Sequence, residues 1–178
     1  ILPEIKGTGK MWIPIAKSDS FQTVRIVSLD VPGKNRMLEE TEYGNTILYV
    51  ELGPEHSGKK MEIIYEVERL EKASYTAQLP IDKKYLEGNL LMPVGGRFSE
   101  IAKEATRGKG EDSQLVQARA LYDYIIDNMR YMKYGDYGKG DANYACDTRT
   151  GNCSEFHSFF ISLARSIGIP ARFSIGAS

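Results

Sequence analysis

Cysteine, histidine and tryptophan are scarce in this sequence, which carries two, two and one of them among 178 residues. Two cysteines, Cys146 and Cys153, are too few to staple a chain of this size, so no disulfide framework replaces an apolar core. They could still pair with each other, which would mask a reactive thiol, and cysteine content therefore does not reveal the compartment. An excess of charge of one sign is also missing. Lys and Arg total 23 against 24 acidic residues, a formal charge of -1, so no overall field draws in nucleic acid or an anionic bilayer. No apolar run approaches the roughly 20 residues needed to span a bilayer, and the N-terminus lacks the basic start and apolar stretch of a signal sequence. The chain as given thus reads as soluble, with neither nucleic acid nor a membrane span among its expected partners. Its first residue, Ile1, points to processing or shortening upstream. Disorder is excluded as well, because 42% hydrophobic and 26% charged residues suffice for one large domain or two small ones.

What is present changes its period partway along. From Met11 to about Leu70 the pattern is that of strands, with short β-branched runs at 21–31, 46–52 and 60–68. Met61, Ile63, Tyr65 and Val67 alternate with Glu62, Glu66 and Glu68, which predicts one apolar and one acidic face, Ile64 being the exception. Turn signals at Pro32-Gly33, Gly44-Asn45, Gly53-Pro54 and Ser57-Gly58 separate the runs. An antiparallel sheet or small sandwich follows, with His56 a solvated residue in one of its turns.

After a Pro-, Gly- and Asn-containing stretch at 79–96 the reading turns helical. Ser99 caps a short helix over 100–106, which Gly108 and Gly110 end. Asp112 or Ser113 opens a longer one, whose residues Leu115, Ala118, Tyr122, Ile125, Ile126 and Met129 form one apolar stripe facing a core. Residues 131–150, with four tyrosines, three glycines and no sustained period, read as an irregular loop suited to the wall of a peptide groove or to packing around a helix end.

The run GNCSEFHSFFISLARSIGIP is the most informative. Asn152 is a good N-cap, and Glu155 three positions on completes a capping box, which puts Cys153 at the first helical position. Phe156, Phe159, Phe160, Leu163, Ala164 and Ile167 recur at steps of three and four and form a buried face, and Gly168 and Pro170 stop the helix. The amides and partial positive charge at a helix start favour a thiolate at Cys153 and offer N–H donors, its own included, to an oxyanion. A free cysteine buried as a small hydrophobe is the competing reading from position alone.

Taken together, Tyr144-Ala145-Cys146-Asp147, the segment Gly151 to His157, Ala164-Arg165 and Gly168-Ile169-Pro170-Ala171-Arg172 resemble the transglutaminase-like superfamily, and most closely its bacterial members. The resemblance is strong over about 141–176, weaker over 114–129 and only architectural before that. It implies an α+β protein: an N-terminal antiparallel β-sheet or sandwich domain over 1–78, followed over 79–178 by the helical first half of a transglutaminase or papain-like cysteine catalytic core. It also implies thiol attack by Cys153 on a peptide or protein amide through a thioester, with hydrolysis preferred over crosslinking, and a periplasmic or extracellular setting. Asn152, Tyr144 and His157 are the candidate supporting residues.

In this family the base and its orienting group are a His and an Asp on strands after the cysteine helix. Neither His56 nor His157 holds that position, so the core is expected to be cut short and the isolated chain to turn over little or nothing. A non-catalytic module holding a peptide or cell-wall component, or a sheet that binds a partner along its edge, are the rival readings. Cys146, Cys153 and His157 supply three ligands, one short of the usual structural zinc set, so no metal or cofactor is expected. Nothing in the pattern specifies an oligomeric state.

Overall fold

The segment richest in β-branched and aromatic residues, Thr46–Leu52, is the middle of a three-stranded antiparallel sheet. It is β4, flanked by Gly9–Ile15 (β1) and Lys34–Glu39 (β3). Gln22–Asp30 (β2) and Glu62–Arg69 (β5) pair separately as an antiparallel ribbon whose register shifts between Ile26 and Ser28. This computed structural model describes residues 1–71, 82–110, 113–133 and 135–176. It divides the chain into two units, Ile1–Thr76 and Ala77–Ser178. The boundary expected between 78 and 79 lies outside the described residues.

Side chains alternate across a pleated strand, so Leu48, Val50 and Leu52 of β4 share one face and are buried with Leu2 and Ile15. Each such aliphatic residue contributes roughly 1.5–3 kcal/mol when fully buried. On the other face Tyr49 stands directly opposite Trp12 and Arg36, with the indole 5.4 Å from its ring and the guanidinium 5.0 Å above it. The runs read as strands at 21–31, 46–52 and 60–68 correspond to β2, β4 and β5. The sequence pattern does not single out β1 or β3, and both are edge strands. The edge tolerates Pro14 in β1 and the charged KNRMLE of β3, which have no apolar alternation to read. Ile63 and Tyr65 turn onto the core as predicted, but Val67 is exposed because the ribbon runs past the buried cluster there. His56 is not a solvated turn residue. Its side chain is only 15% exposed, and Nδ1 accepts a hydrogen bond from the Gly53 amide at 2.8 Å.

In the second unit, Gly96–Thr106 (α1) begins one turn earlier than the Ser99 cap predicts. The Gly95 carbonyl accepts from the amides of Phe98 and Ser99, which puts Ser99 inside the helix. Gln114–Asn128 (α2) is capped by Ser113, whose side chain accepts from the Val116 amide; the alternative cap, Asp112, lies outside the described residues. Only part of the predicted apolar stripe is buried. Ile125 and Met129 enter the core with Leu121, and Ala118 packs partly against it, while Leu115, Tyr122 and Ile126 stay 81%, 52% and 52% exposed. The apolar arc is wider than the face that α2 presents to its neighbours.

Arg130–Tyr131 (β6) and Thr150–Gly151 (β7) form a short parallel pair, and between them lies Ala142–Thr148 (α3). The stretch 131–150 is therefore not wholly irregular. Asp141 caps α3 by accepting from the Asn143 amide at 2.8 Å, and seven residues are too few to show a helical period. Cys153–Ser166 (α4) follows, and Phe159, Leu163 and Ala164 on it meet Phe98, Ala102, Leu121 and Ile125. The Phe98 and Phe159 rings pack edge to face at 6.1 Å. Among the described residues no helix is long and apolar enough to cross a membrane.

Candidate active site around Cys153

The first turn of α4 is built as its sequence predicts. Asn152 is the N-cap, its Oδ1 accepts from the Ser154 amide at 2.8 Å, and Glu155 Oε2 accepts from the Asn152 amide at 3.0 Å. The Phe156 amide donates to the Asn152 carbonyl at 3.1 Å. Among the described residues the Cys153 amide has no such acceptor, so one N–H at the helix start remains open beside the sulfur. Cys153 is exposed and its thiol is free, and Cys146 is also free but buried, so the two are not bridged.

Gly151 is required by this geometry. Its φ is 153°, and a Cβ there would lie 2.7 Å from Glu155 Cγ and closer still to Glu155 Cβ. The glycine two positions before Cys153 therefore admits the Glu155 side chain beneath the helix start.

Glu155 does more than close a capping box, which is a role the sequence does not signal. Its side chain is fully buried, and Oε1 accepts from the amides of both Gly138 and Gly140 at 2.8 and 2.9 Å. Burial pushes the carboxyl pKa up, but the hydrogen bonds from Asn152, Gly138 and Gly140 outweigh it and hold the group ionised, below the usual carboxylate range. Gly138 and Gly140 both have positive φ, 88° and 68°, which lets two amides in three residues converge on one oxygen. The glycines at 135, 138 and 140 are the only trace of this in the sequence.

The other candidate residues, Tyr144 and His157, make their recorded contacts away from the thiol. Tyr144 is half-buried on α3, with its hydroxyl over Gly135, 3.2 Å from where a Cβ would stand. Arg97 ties α1 to α3 through Asp147 at 2.5 Å and Asn143 Oδ1 at 2.7 Å. Arg149, which ends α3 in the left-handed conformation at φ 57°, bonds Tyr124 and lies over the Phe159 ring. His157 is exposed one turn after Cys153, its ring set edge-on to Phe173 at 5.0 Å. Among the described residues no hydrogen bond joins it to the thiol. Tyr131 packs on Phe156 at 6.1 Å. A concavity between α1 and α2 is lined by Glu104, Ala105, Asp123 and Tyr124 among others, and Cys153 is not part of it. Among the described residues no three His, Cys, Asp or Glu side chains gather to hold a metal.

The far end of α4 is held by Arg165, which is buried. Nε and Nη2 donate to the Ala171 carbonyl at 2.9 and 2.6 Å, and Nη1 donates to the Glu87 carbonyl at 2.6 Å. Among the described residues no carboxylate pairs with it. In mid-helix, Ser162 is completely buried and its Oγ has no hydrogen-bond partner among the described residues. A buried hydroxyl without a partner is a cost that alanine removes at nearly constant shape. Ser162→Ala is therefore expected to leave stability unchanged or raise it by up to about 1 kcal/mol in urea unfolding.

Three comparisons bear on this geometry. The sequence profile of the Transglutaminase-like superfamily matches residues 99–178, from α1 through the Cys153 helix. An uncharacterized protein of Haemophilus influenzae is 23% identical over 184 residues, covering 94% of this chain and 49% of its own length. A crystal structure from Cytophaga hutchinsonii, provisionally named a cysteine protease, has the same fold, with a TM-score of 0.63 at 16% identity over 94% of this chain and 61% of that one. The chain thus spans about half the length of the Haemophilus protein.

Proposed function

We propose that Cys153 is the nucleophile of an amide-cleaving or acyl-transferring site, a reading supported by the match of residues 99–178 to the Transglutaminase-like superfamily. The observation that carries this is an exposed, unbridged thiol at the first position of a capped helix, beside an amide with no acceptor among the described residues. Sγ attacks the carbonyl carbon of a peptide or protein amide, and the Cys153 amide stabilises the oxyanion. The C–N bond then breaks as the amine leaves with a proton, and a thioester remains. Water takes the acyl group, giving a carboxylic acid and restoring the thiol; an amine acceptor would give a crosslink instead.

The proton needs a base. His157 is turned against Phe173, and His56, the other histidine, belongs to the N-terminal unit. By the family resemblance the base is a His on a strand after the cysteine helix, so the 178-residue chain by itself is expected to react once rather than turn over. The absence of a hydrogen-bonded base at Cys153 among the described residues also favours a second reading, a binding module that keeps the fold without the chemistry.

Alkylation separates the two. With limiting iodoacetamide near neutral pH, mass spectrometry is expected to find stoichiometric label at Cys153, at least about a hundredfold faster than at the buried Cys146, which must wait for local opening. Labelling of Cys153 no faster than that of a free thiol in solution would support the binding module.

A further inference from the structure

We infer that Glu155 is a positioning residue that holds residues 138–140 as one wall of the Cys153 site. This deepens the function proposed above and rests on it. Its three hydrogen bonds divide between the two parts it joins: Oε2 takes the Asn152 amide at the helix start, and Oε1 takes the amides of Gly138 and Gly140 in the loop.

The loop is thereby laid along the residues that bracket the thiol. A Cβ at Gly138 would be 3.5 Å from Asn152 Nδ2, and one at Gly140 would be 3.7 Å from Ser154 Cβ. Asn152 and Ser154 flank Cys153 in the chain, so the loop docks against the first turn that carries the thiol. Between the two pinned glycines, Lys139 is exposed and pairs with Asp136 at 3.1 Å, and Tyr137 stands just before them, partly open to solvent. These are the side chains a bound peptide would meet.

A buried carboxylate accepting from three amides cannot be replaced by an amide side chain without losing an acceptor. Glutamine offers one oxygen and an N–H₂ group that would point at a backbone N–H. The apolar core of the second unit is built from α1, α2, α3, α4 and their flanks, and residues 138–140 contribute no side chain to it. Glu155 therefore links a separately built helix bundle to a segment with no apolar anchor in that core.

Two measurements test this on the full chain. The first is limited trypsin cleavage after Lys139, which reads loop docking without any chemistry at Cys153. It is expected to be at least about tenfold faster in Glu155→Gln than in the wild type, the equivalent of one factor of ten in the docking equilibrium. The second is inactivation of the thiol by a tripeptide chloromethyl ketone carrying alanine or glutamine side chains, resolved into KI and kinact and compared with the iodoacetamide rate.

Glu155→Gln is expected to raise KI for the peptide reagent about tenfold, while the iodoacetamide rate does not fall. Gly138→Ala and Gly140→Ala impose positive φ on an L residue and unseat the loop without touching the core, so they should show the same pair of effects; they decide the matter should Glu155→Gln fail to fold. Unchanged cleavage after Lys139 in the folded variants, or a freed loop with KI unaltered, would overturn the positioning role. A wild-type chain that takes iodoacetamide but no peptide reagent would overturn the peptide-site reading itself, with the trypsin result still reporting whether Glu155 holds the loop.

Discussion

Arg165→Ala is expected to destabilise the second unit by about 3–5 kcal/mol, the largest loss of any substitution considered for this chain. The guanidinium is buried and spends three N–H donors on the carbonyls of Ala171 and Glu87. Truncation removes charge-assisted bonds worth roughly 1.5–3 kcal/mol each in net terms and leaves two carbonyls without those donors in a space that alanine does not fill. Arg165→Lys restores little, because one ammonium cannot span both carbonyls as a planar fork does. Urea unfolding followed by circular dichroism measures the loss. A change below about 1 kcal/mol would mean that the two carbonyls find water and that the clamp is dispensable.

Gly151→Ala ranks second, at about 2–4 kcal/mol. Two costs coincide: a backbone at φ 153° that L residues avoid, and a methyl group forced onto the Glu155 side chain. The strand β7 and the start of α4 must part to accommodate it, so the damage falls on Cys153. The same unfolding measurement, with the iodoacetamide rate at Cys153 read in parallel, checks both. A variant of wild-type stability and wild-type thiol reactivity would show that the close approach of Gly151 to Glu155 is not required.

Much of this site was readable because it is local. Asn152, Cys153 and Glu155 sit at fixed offsets in a capping box, and Gly168 and Pro170 mark the helix end, so backbone rules alone give the placement of the thiol. Glu155 shows where that reading stops. Its bond to Asn152 is three residues away and predictable, whereas its bonds to Gly140 and Gly138 reach back 15 and 17 residues and depend on how the loop returns.

The same distinction governs the fold. The central strand β4 announces itself through TILYVEL, but β3 is an edge whose charges carry no alternation, and α3 is too short for a period. On α2 the sequence shows which residues are apolar, and only the positions of its neighbours decide that Leu121 and Ile125 are covered while Leu115 and Ile126 are not. The motif around Arg165 suggested a family without revealing that the side chain joins residues 87 and 171.

The seclusion of Cys146 in the helical core bears on how the protein withstands peroxide. An accessible thiol oxidised to a sulfenic acid is rescued when a neighbouring cysteine condenses with it, and here the only other sulfhydryl is packed among Ala145, Phe159 and Leu163. Cys146, the other cysteine of these 178 residues, is thus not placed to resolve it. Reduction of a sulfenic acid at Cys153 is therefore expected to call on an external thiol, which does not reverse over-oxidation to the sulfinic acid.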